Sequence, residues 1–356
     1  SSGITRHGAP RDRTPGDGPA RDGTPGHGAA RHRPARHRAA HHAHRRQLMV
    51  ATATDAAVQV ERFAAMGTRA EVQVVDGPPW LAARARSRIE GLEARWSRFR
   101  SGSEVAALNR CAGTPVPVTA ETLLLVERAL AAASATEGRY DPTVGAAVIA
   151  NGYDRTFPAV ADAAREIEPI PVVDGAWPLV VVDRTRGTVA LPEGTTFDPG
   201  GIGKGLAADL VATELRDQAA GVLVNLGGDL RACGAAPTDD GWVITVEDPF
   251  DPARELARLA IAEGAVATSS RCRRRWSTAT GEVHHLIDPR TGTSARTGVA
   301  AVTVVAAEAW WAEVSATSLF LLGPDGVADA DASVAAIVVA DDGTVRTTAG
   351  LEGVLR

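Results

Sequence analysis

Lysine is almost absent from this chain. Of its 38 Lys and Arg residues, only Lys204 is a lysine. Cysteine is scarce as well: Cys111, Cys233 and Cys272 are odd in number and widely spaced, with no Cys-x-x-Cys pair. That pattern excludes a disulfide framework and a thiolate metal site, and it leads us to expect the reducing cytoplasm. No apolar run reaches transmembrane length, and none near residue 1 or Met49 has the length of a signal-peptide core, so no membrane segment is expected. No internal repeat is evident.

Large apolar side chains are nearly missing from residues 1–48, which are built from Arg, His, Gly, Pro and Ala. Such a composition cannot bury enough surface to offset chain entropy, so a disordered basic tail is expected there. The tail carries ten Arg and three Asp, and the whole chain has a formal charge of −5, which leaves −12 for residues 49–356. A nucleic-acid or membrane-surface role would suit such a tail. The expected reading is an unstructured extension ahead of Met49, with no nucleic-acid partner. Residues 49–356 have ample Val, Ala and Leu for a core and are read as one domain.

Within that domain, Val58–Phe63 and Ala70–Val75 alternate around Met66-Gly67 as two strands. Helices are expected over Trp80–Trp96 with Pro79 in the first turn, after Ser103, over Thr119–Thr136, over Leu206–Gln218 and over Glu308–Leu322. A hairpin is expected at Leu179–Val182 and Thr188–Leu191, and another at Val334–Val339 and Thr344–Thr348. Further strands are expected at Gly221–Leu226, Trp242–Glu247, Leu256–Ala262, Ala265–Thr268, Val283–Ile287 and Val299–Val305. Between Gly152 and Pro178 the signal is weak, and a mobile connection is expected. Strands cluster and helices intervene irregularly, which predicts an α+β fold with mixed or antiparallel sheets packed against several helices.

Three groups could carry chemistry. The sole lysine lies in Phe197-Asp198-Pro199-Gly200-Gly201-Ile202-Gly203-Lys204-Gly205, where glycines let backbone approach an anion and a following helix would point N–H groups at it. It is not a Walker A loop, because Gly205 stands where Ser or Thr is required. His284-His285 are the only histidines outside the tail, and a strand would put them on opposite faces, so one could face a cleft while the other bonds a backbone carbonyl. Glu313 and Thr317 lie four apart on the last helix and so share a face, a donor pair suited to a hard divalent cation. Arg139-Tyr140-Asp141-Pro142-Thr143, Asn225-Leu226-Gly227-Gly228-Asp229 and Ala267-Thr268-Ser269-Ser270 are turns at the ends of apolar runs.

Taken in order, these segments resemble the FAD:protein FMN transferase family, the ApbE-type flavin transferases. The resemblance runs from Met66-Gly67-Thr68, Phe99-Arg100 and Ser103-Glu104 with Asn109, through the turns above, to His285–Gly292 and Glu313 with Thr317. It implies Mg²⁺-dependent transfer of FMN from FAD to a Thr or Ser hydroxyl of an acceptor protein, with release of AMP. It implies FAD contacts at Met66, Phe99, Arg139, Tyr140, Asp141, Asp198, Lys204 and Ile287. The metal would lie on the Gly201 carbonyl, Glu313 and Thr317, with His285 as general base. The family has Asp where Glu313 stands, and an apolar residue where Pro199 follows Asp198. The alternatives are an FAD pyrophosphatase using water as nucleophile and a non-catalytic flavin-binding protein.

Overall fold

The computed structural model describes residues 56–160, 175–278 and 281–356. The tail expected at 1–48 and the middle of the weak stretch Gly152–Pro178 lie outside the described residues. The first hairpin pairs β1 (Val58–Ala65) with β2 (Thr68–Val75). Its register closes at Ala65 opposite Thr68, so Met66-Gly67 is a two-residue turn with φ of 51° and 67°. Two successive positive φ values match the type I′ turn that twisted strands prefer.

Helix α1 (Leu81–Trp96) buries Leu81, Ala85, Ile89, Leu92 and Trp96 at three- and four-residue spacing. Trp80 holds its cap position, so Pro79 stands before the helix instead of in its first turn. Ser103 caps α2 (Glu104–Arg110), accepting from the Ala106 N–H at 3.0 Å. A short β3 (Val116–Pro117) leads into α3 (Ala120–Ala135), then the small helices α4 (Gly145–Ala150) and α5 (Phe157–Val160). Strands β4 (Val181–Asp183) and β5 (Thr188–Ala190) form the expected hairpin and add to β3 as a three-stranded sheet.

Helix α6 (Gly203–Leu215) starts three residues earlier than its sequence signal, which puts Lys204 inside its first turn. It leads into β6 (Gly221–Leu226) and β7 (Asp229–Gly234), then the hairpin β8 (Trp242–Glu247) and β9 (Glu255–Ile261), and β10 (Gly264–Ser270). The strand expected at Val283–Ile287 is broken. Its first part ends β12 (Gly281–His284), paired with β11 (Arg275–Thr278), and Ile287 opens β13 (Ile287–Asp288), paired with β14 (Thr293–Ser294). Strand β15 (Val299–Ala306), helix α7 (Ala309–Leu322), β16 (Ala335–Ala340) and β17 (Val345–Thr347) complete the described fold.

The main sheet has the order β1-β2-β6-β7-β10-β15-β16-β17, with every neighbour antiparallel. The α+β expectation holds. Alternation along each strand sends side chains to two cores. Val72, Val74, Val222 and Val224 pack with α1, α6 and α7, while Leu223, Leu230 and Ala232 pack under the β8–β9 hairpin with Trp242, Val246 and Leu259. A third cluster, smaller and aromatic, gathers Tyr153, Trp276 and Ile287 with Phe99 and Phe157.

Two details bring α6 and α7 together. A side chain at Gly205 would run into the carbonyl of Ala309, so the crossing requires glycine there. Asp209, about one turn beyond Gly205 on α6, accepts the N–H groups of Ala309 and Trp310 at 2.9 Å each and so caps α7 from another helix. Among the described residues no helix is long and apolar enough to cross a membrane.

Candidate active site

The turns Met66-Gly67 and Gly227-Gly228 lie at the same end of the sheet, as the β1–β2 and β6–β7 registers require. Strand β10 runs to that end too, since Val266 pairs with Leu230 and Thr268 lies two residues further on. The N-terminus of α6 comes to this end through Lys204, whose ammonium ion-pairs with both Asp229 at the start of β7 and Glu313 on α7. Burial works against the charge of Lys204, but the two carboxylates outweigh it and hold its pKa well above the ordinary lysine value. Glu313 uses its other oxygen to accept the Gly205 N–H at 2.8 Å. Asp229 also accepts the Thr268 N–H at 3.3 Å, tying β10 to the same cluster.

One turn beyond Glu313, the Thr317 hydroxyl is 3.1 Å from that of Ser269. Gly201 adjoins it: a Cβ there would be 3.5 Å from Thr317 Oγ1 and 3.1 Å from the ring of Tyr140. Gly201, which the sequence could join to the pair only by resemblance, thus stands beside Thr317 on the α7 face that also carries Glu313. Their chemistry suits Mg²⁺. Among the described residues no group of three His, Cys, Asp or Glu side chains is placed to hold a metal ion. A single carboxylate with a hydroxyl and a carbonyl is the hard-oxygen set of an ion that keeps most of its waters. Among the described residues the buried phenol of Tyr140 has no hydrogen-bond partner, and burial first, then the carboxylates of Glu313, Asp198 and Asp141, push its pKa well up. It is a donor waiting for an acceptor in an acidic surrounding.

Asp198 is held from several sides. Its N–H donates to the Pro142 carbonyl at 2.8 Å, and its carboxylate accepts from the Gly200 N–H at 2.8 Å and pairs with Arg98 at 3.3 Å. Asn109 clamps the preceding residue, exchanging bonds of 3.0 and 2.8 Å with the main chain of Phe197. The Arg98 guanidinium lies 4.2 Å above the Phe99 ring and 4.7 Å above that of Tyr153, and so links Asp198 to the aromatic cluster that holds Phe99 and Ile287. Asp141 folds back on its own turn, accepting the Thr143 N–H at 2.7 Å. Arg139 reaches α7, donating to the Ser318 hydroxyl at 3.2 Å, and also pairs with Glu137 at 3.0 Å.

The two body histidines separate, with His284 ending β12 and His285 in the break before β13. His284 is buried, its Nε2 donating to the Ala295 carbonyl at 2.9 Å and its Nδ1 accepting the Leu286 N–H at 3.3 Å, which uses both ring nitrogens structurally. His285 is half-buried. Its N–H donates to the Arg274 carbonyl at 3.2 Å, and Nδ1 faces the same carbonyl at 3.4 Å, which leaves Nε2 as the acceptor. Burial, then the charges of Arg274, His284 and Lys204, hold the His285 pKa well below the usual imidazole value. Met66 joins through the next residue: the Gly67 carbonyl accepts from Arg274 at 3.3 Å.

Sequence reasoning assigned no role to Arg98, Asp229, Ser269 or Arg274. Asp229 and Ser269 lay in turns already marked as polar ends of apolar runs, which was a usable signal. Arg98 and Arg274 carried none, since 37 arginines make any one of them unremarkable.

Comparison with known proteins bears on the family and the fold. Residues 66–338 match the model of the ApbE family. The FAD:protein FMN transferase of Treponema pallidum is 30% identical over 315 residues, covering 80% of this chain and 85% of that protein. The enzyme of the same name from Salmonella typhimurium is 30% identical over 286 residues, covering 76% and 81%. Among solved structures, the ApbE protein of Thermotoga maritima superposes with a TM-score of 0.75 at 26% identity, and the flavin transferase ApbE of Vibrio cholerae with 0.70 at 26%; each covers 84% of this chain and all of its own.

Proposed function

The chain belongs to the ApbE family, and from that premise we propose that it is an FAD:protein FMN transferase, moving FMN from FAD to a Thr or Ser hydroxyl of an acceptor protein and releasing AMP. The observation that carries the reading is His285, whose N–H and Nδ1 both face the Arg274 carbonyl and so leave Nε2 as the acceptor, while Arg274 bonds Gly67 at the end of the sheet that carries the Lys204–Asp229–Glu313 cluster. In the transfer, the acceptor oxygen forms a bond to the FMN-side phosphorus. The bond from that phosphorus to the bridging oxygen breaks, and its electron pair leaves with AMP. The hydroxyl proton passes to His285 Nε2.

The other residues bind and orient. Phe99 and Ile287, in the aromatic cluster, offer apolar surface to the isoalloxazine. Tyr140 and Asp141 lie in a turn bonded to Asp198 through the Pro142 carbonyl, and the phenol of Tyr140 suits a ligand oxygen. Met66 and Arg139 border the same end of the sheet. Bound Mg²⁺ would be held by Gly201, Glu313 and Thr317, and would supply positive charge to the pyrophosphate. The free cysteines Cys111, Cys233 and Cys272 support the reading of a reducing, cytoplasmic location.

The test is to incubate the protein with FAD, Mg²⁺ and candidate acceptor peptides, following AMP release and peptide mass. FMN on the peptide is the expected result. Free FMN with AMP would instead favour hydrolysis by the same site, and tight FAD binding without AMP would leave only a flavin-binding protein.

A further inference from the structure

The segment Arg271-Cys272-Arg273-Arg274-Arg275 carries four arginines in five residues. Three are neutralised: Arg271 pairs with Asp341 at 2.8 Å, Arg273 with Glu247, and Arg275 with Glu282 at 3.2 Å. Among the described residues Arg274 has no carboxylate partner. Its guanidinium makes one hydrogen bond, at 3.3 Å to the carbonyl of Gly67, which sits next to Met66. Its main-chain carbonyl receives both the N–H and the Nδ1 of His285. After burial, its charge helps lower the His285 pKa, and it works against the raised pKa of Lys204 without reversing it.

Lys204 has the opposite circumstances. It is held between Asp229 and Glu313, so the trio carries no surplus positive charge to offer an anion. Among the described residues Arg69 and Arg274 both lie at this end of the sheet without a carboxylate partner, and Arg274 is the one whose main chain also holds His285. We propose that the Arg274 side chain is a substrate-binding residue that donates to the pyrophosphate oxygens of FAD, while its main chain fixes the base. This rests on the FAD-dependent reading of the site and goes beyond it by assigning the anion contact to a residue outside the set that the sequence suggested. A planar fork with several N–H groups can keep Gly67 and still reach phosphate oxygens.

The experiment uses the full chain and two probes, FAD and ADP, titrated against wild type, Arg274→Gln, Arg274→Lys and Arg273→Gln. Gln retains an N–H donor for Gly67 but not the charge, so the turn is preserved; a thermal melt checks that. Arg274→Gln is expected to weaken both FAD and ADP by about tenfold at low salt, the scale of one hydrogen bond to a charged group. Arg274→Lys should recover most of the loss, and Arg273→Gln should match wild type. The gap between wild type and Arg274→Gln should also narrow as salt rises, since a purely structural defect would not be screened. Equal affinity in wild type and Arg274→Gln would overturn the proposal while leaving the transferase reading intact. A loss that is insensitive to salt and not recovered by Lys would overturn it as well. Failure of the wild type to bind FAD at all would sink the transferase reading and the proposal together.

Discussion

Nδ1 of His285 faces the Arg274 carbonyl, and burial together with the charges of Arg274, His284 and Lys204 disfavours its cationic form. The sign follows. Above pH ~6.5 the imidazole is neutral in both folded and unfolded chains. As pH falls below that value the unfolded chain takes up a proton first, so folding stability declines through the window down to the lower folded pKa. The base stays neutral through that window. The acid limb of kcat/KM for AMP release, which reports the free enzyme, is therefore expected well below pH ~6.5. A limb centred at or above the ordinary imidazole value would count against His285 as the base.

Lys204 calls for a second experiment at the same scale. Its removal would leave Asp229 and Glu313, both buried, facing each other without a cation. Lys204→Ala is expected to cost roughly 3–5 kcal/mol of stability, as when one partner of a buried ion pair is lost. Adding Glu313→Gln should recover part of it, because burial already lifts the Glu313 pKa to about 7 and the neutral amide leaves Asp229 as the single stranded charge. Urea unfolding of the single and double variants measures this, and a single variant as stable as wild type would mean that the carboxylates find other partners.

At the level of elements, α7 owes its start to another helix. Glu308 stands at its cap position without a side-chain bond, and Asp209 of α6 accepts the first N–H groups instead. Asp209→Ala is expected to lose about 2–3 kcal/mol, the cost of two buried N–H groups left without acceptors. Because α7 carries Glu313 and Thr317, FAD affinity should fall with it, and Asp209→Asn should retain more of both. An unfolding midpoint unchanged by Asp209→Ala would show that the cap is dispensable. A cap a hundred positions upstream leaves no trace in a local window, which is why the sequence predicted the helix but not what begins it. Strand β7 was missed for a related reason. Its Asp229 and Arg231 point into the helix-side core, where each finds its partner on α6, so no apolar alternation announces a buried strand. Elements with ordinary patterning, such as α1, the β1–β2 hairpin and the β16–β17 hairpin, were legible. The spacing of Glu313 and Thr317 was legible too. Their meeting with Gly201 depends on the α6–α7 crossing, which only the fold supplies.

For the molecule as a whole, one antiparallel sheet separates two cores, and the site draws on only one of them. Asp229 and Arg231 reach α6 from one face, whereas Leu223 and Leu230 meet the β8–β9 hairpin on the other. The hairpin supplies Trp242, Val246 and Leu259 to that second core and none of the candidate site residues. Stability and binding should therefore separate on this side. Leu259 is fully buried, so Leu259→Ala should cost about 2–5 kcal/mol through lost transfer energy and the cavity left behind. FAD affinity measured well below the new midpoint should stay within about twofold of wild type, since no site residue loses a contact. The paired measurement is a denaturant curve and an FAD titration on the same variant. If affinity falls by tenfold or more while the chain is still folded, the hairpin layer is coupled through the sheet to the Lys204–Asp229–Glu313 cluster, and the two cores act as one.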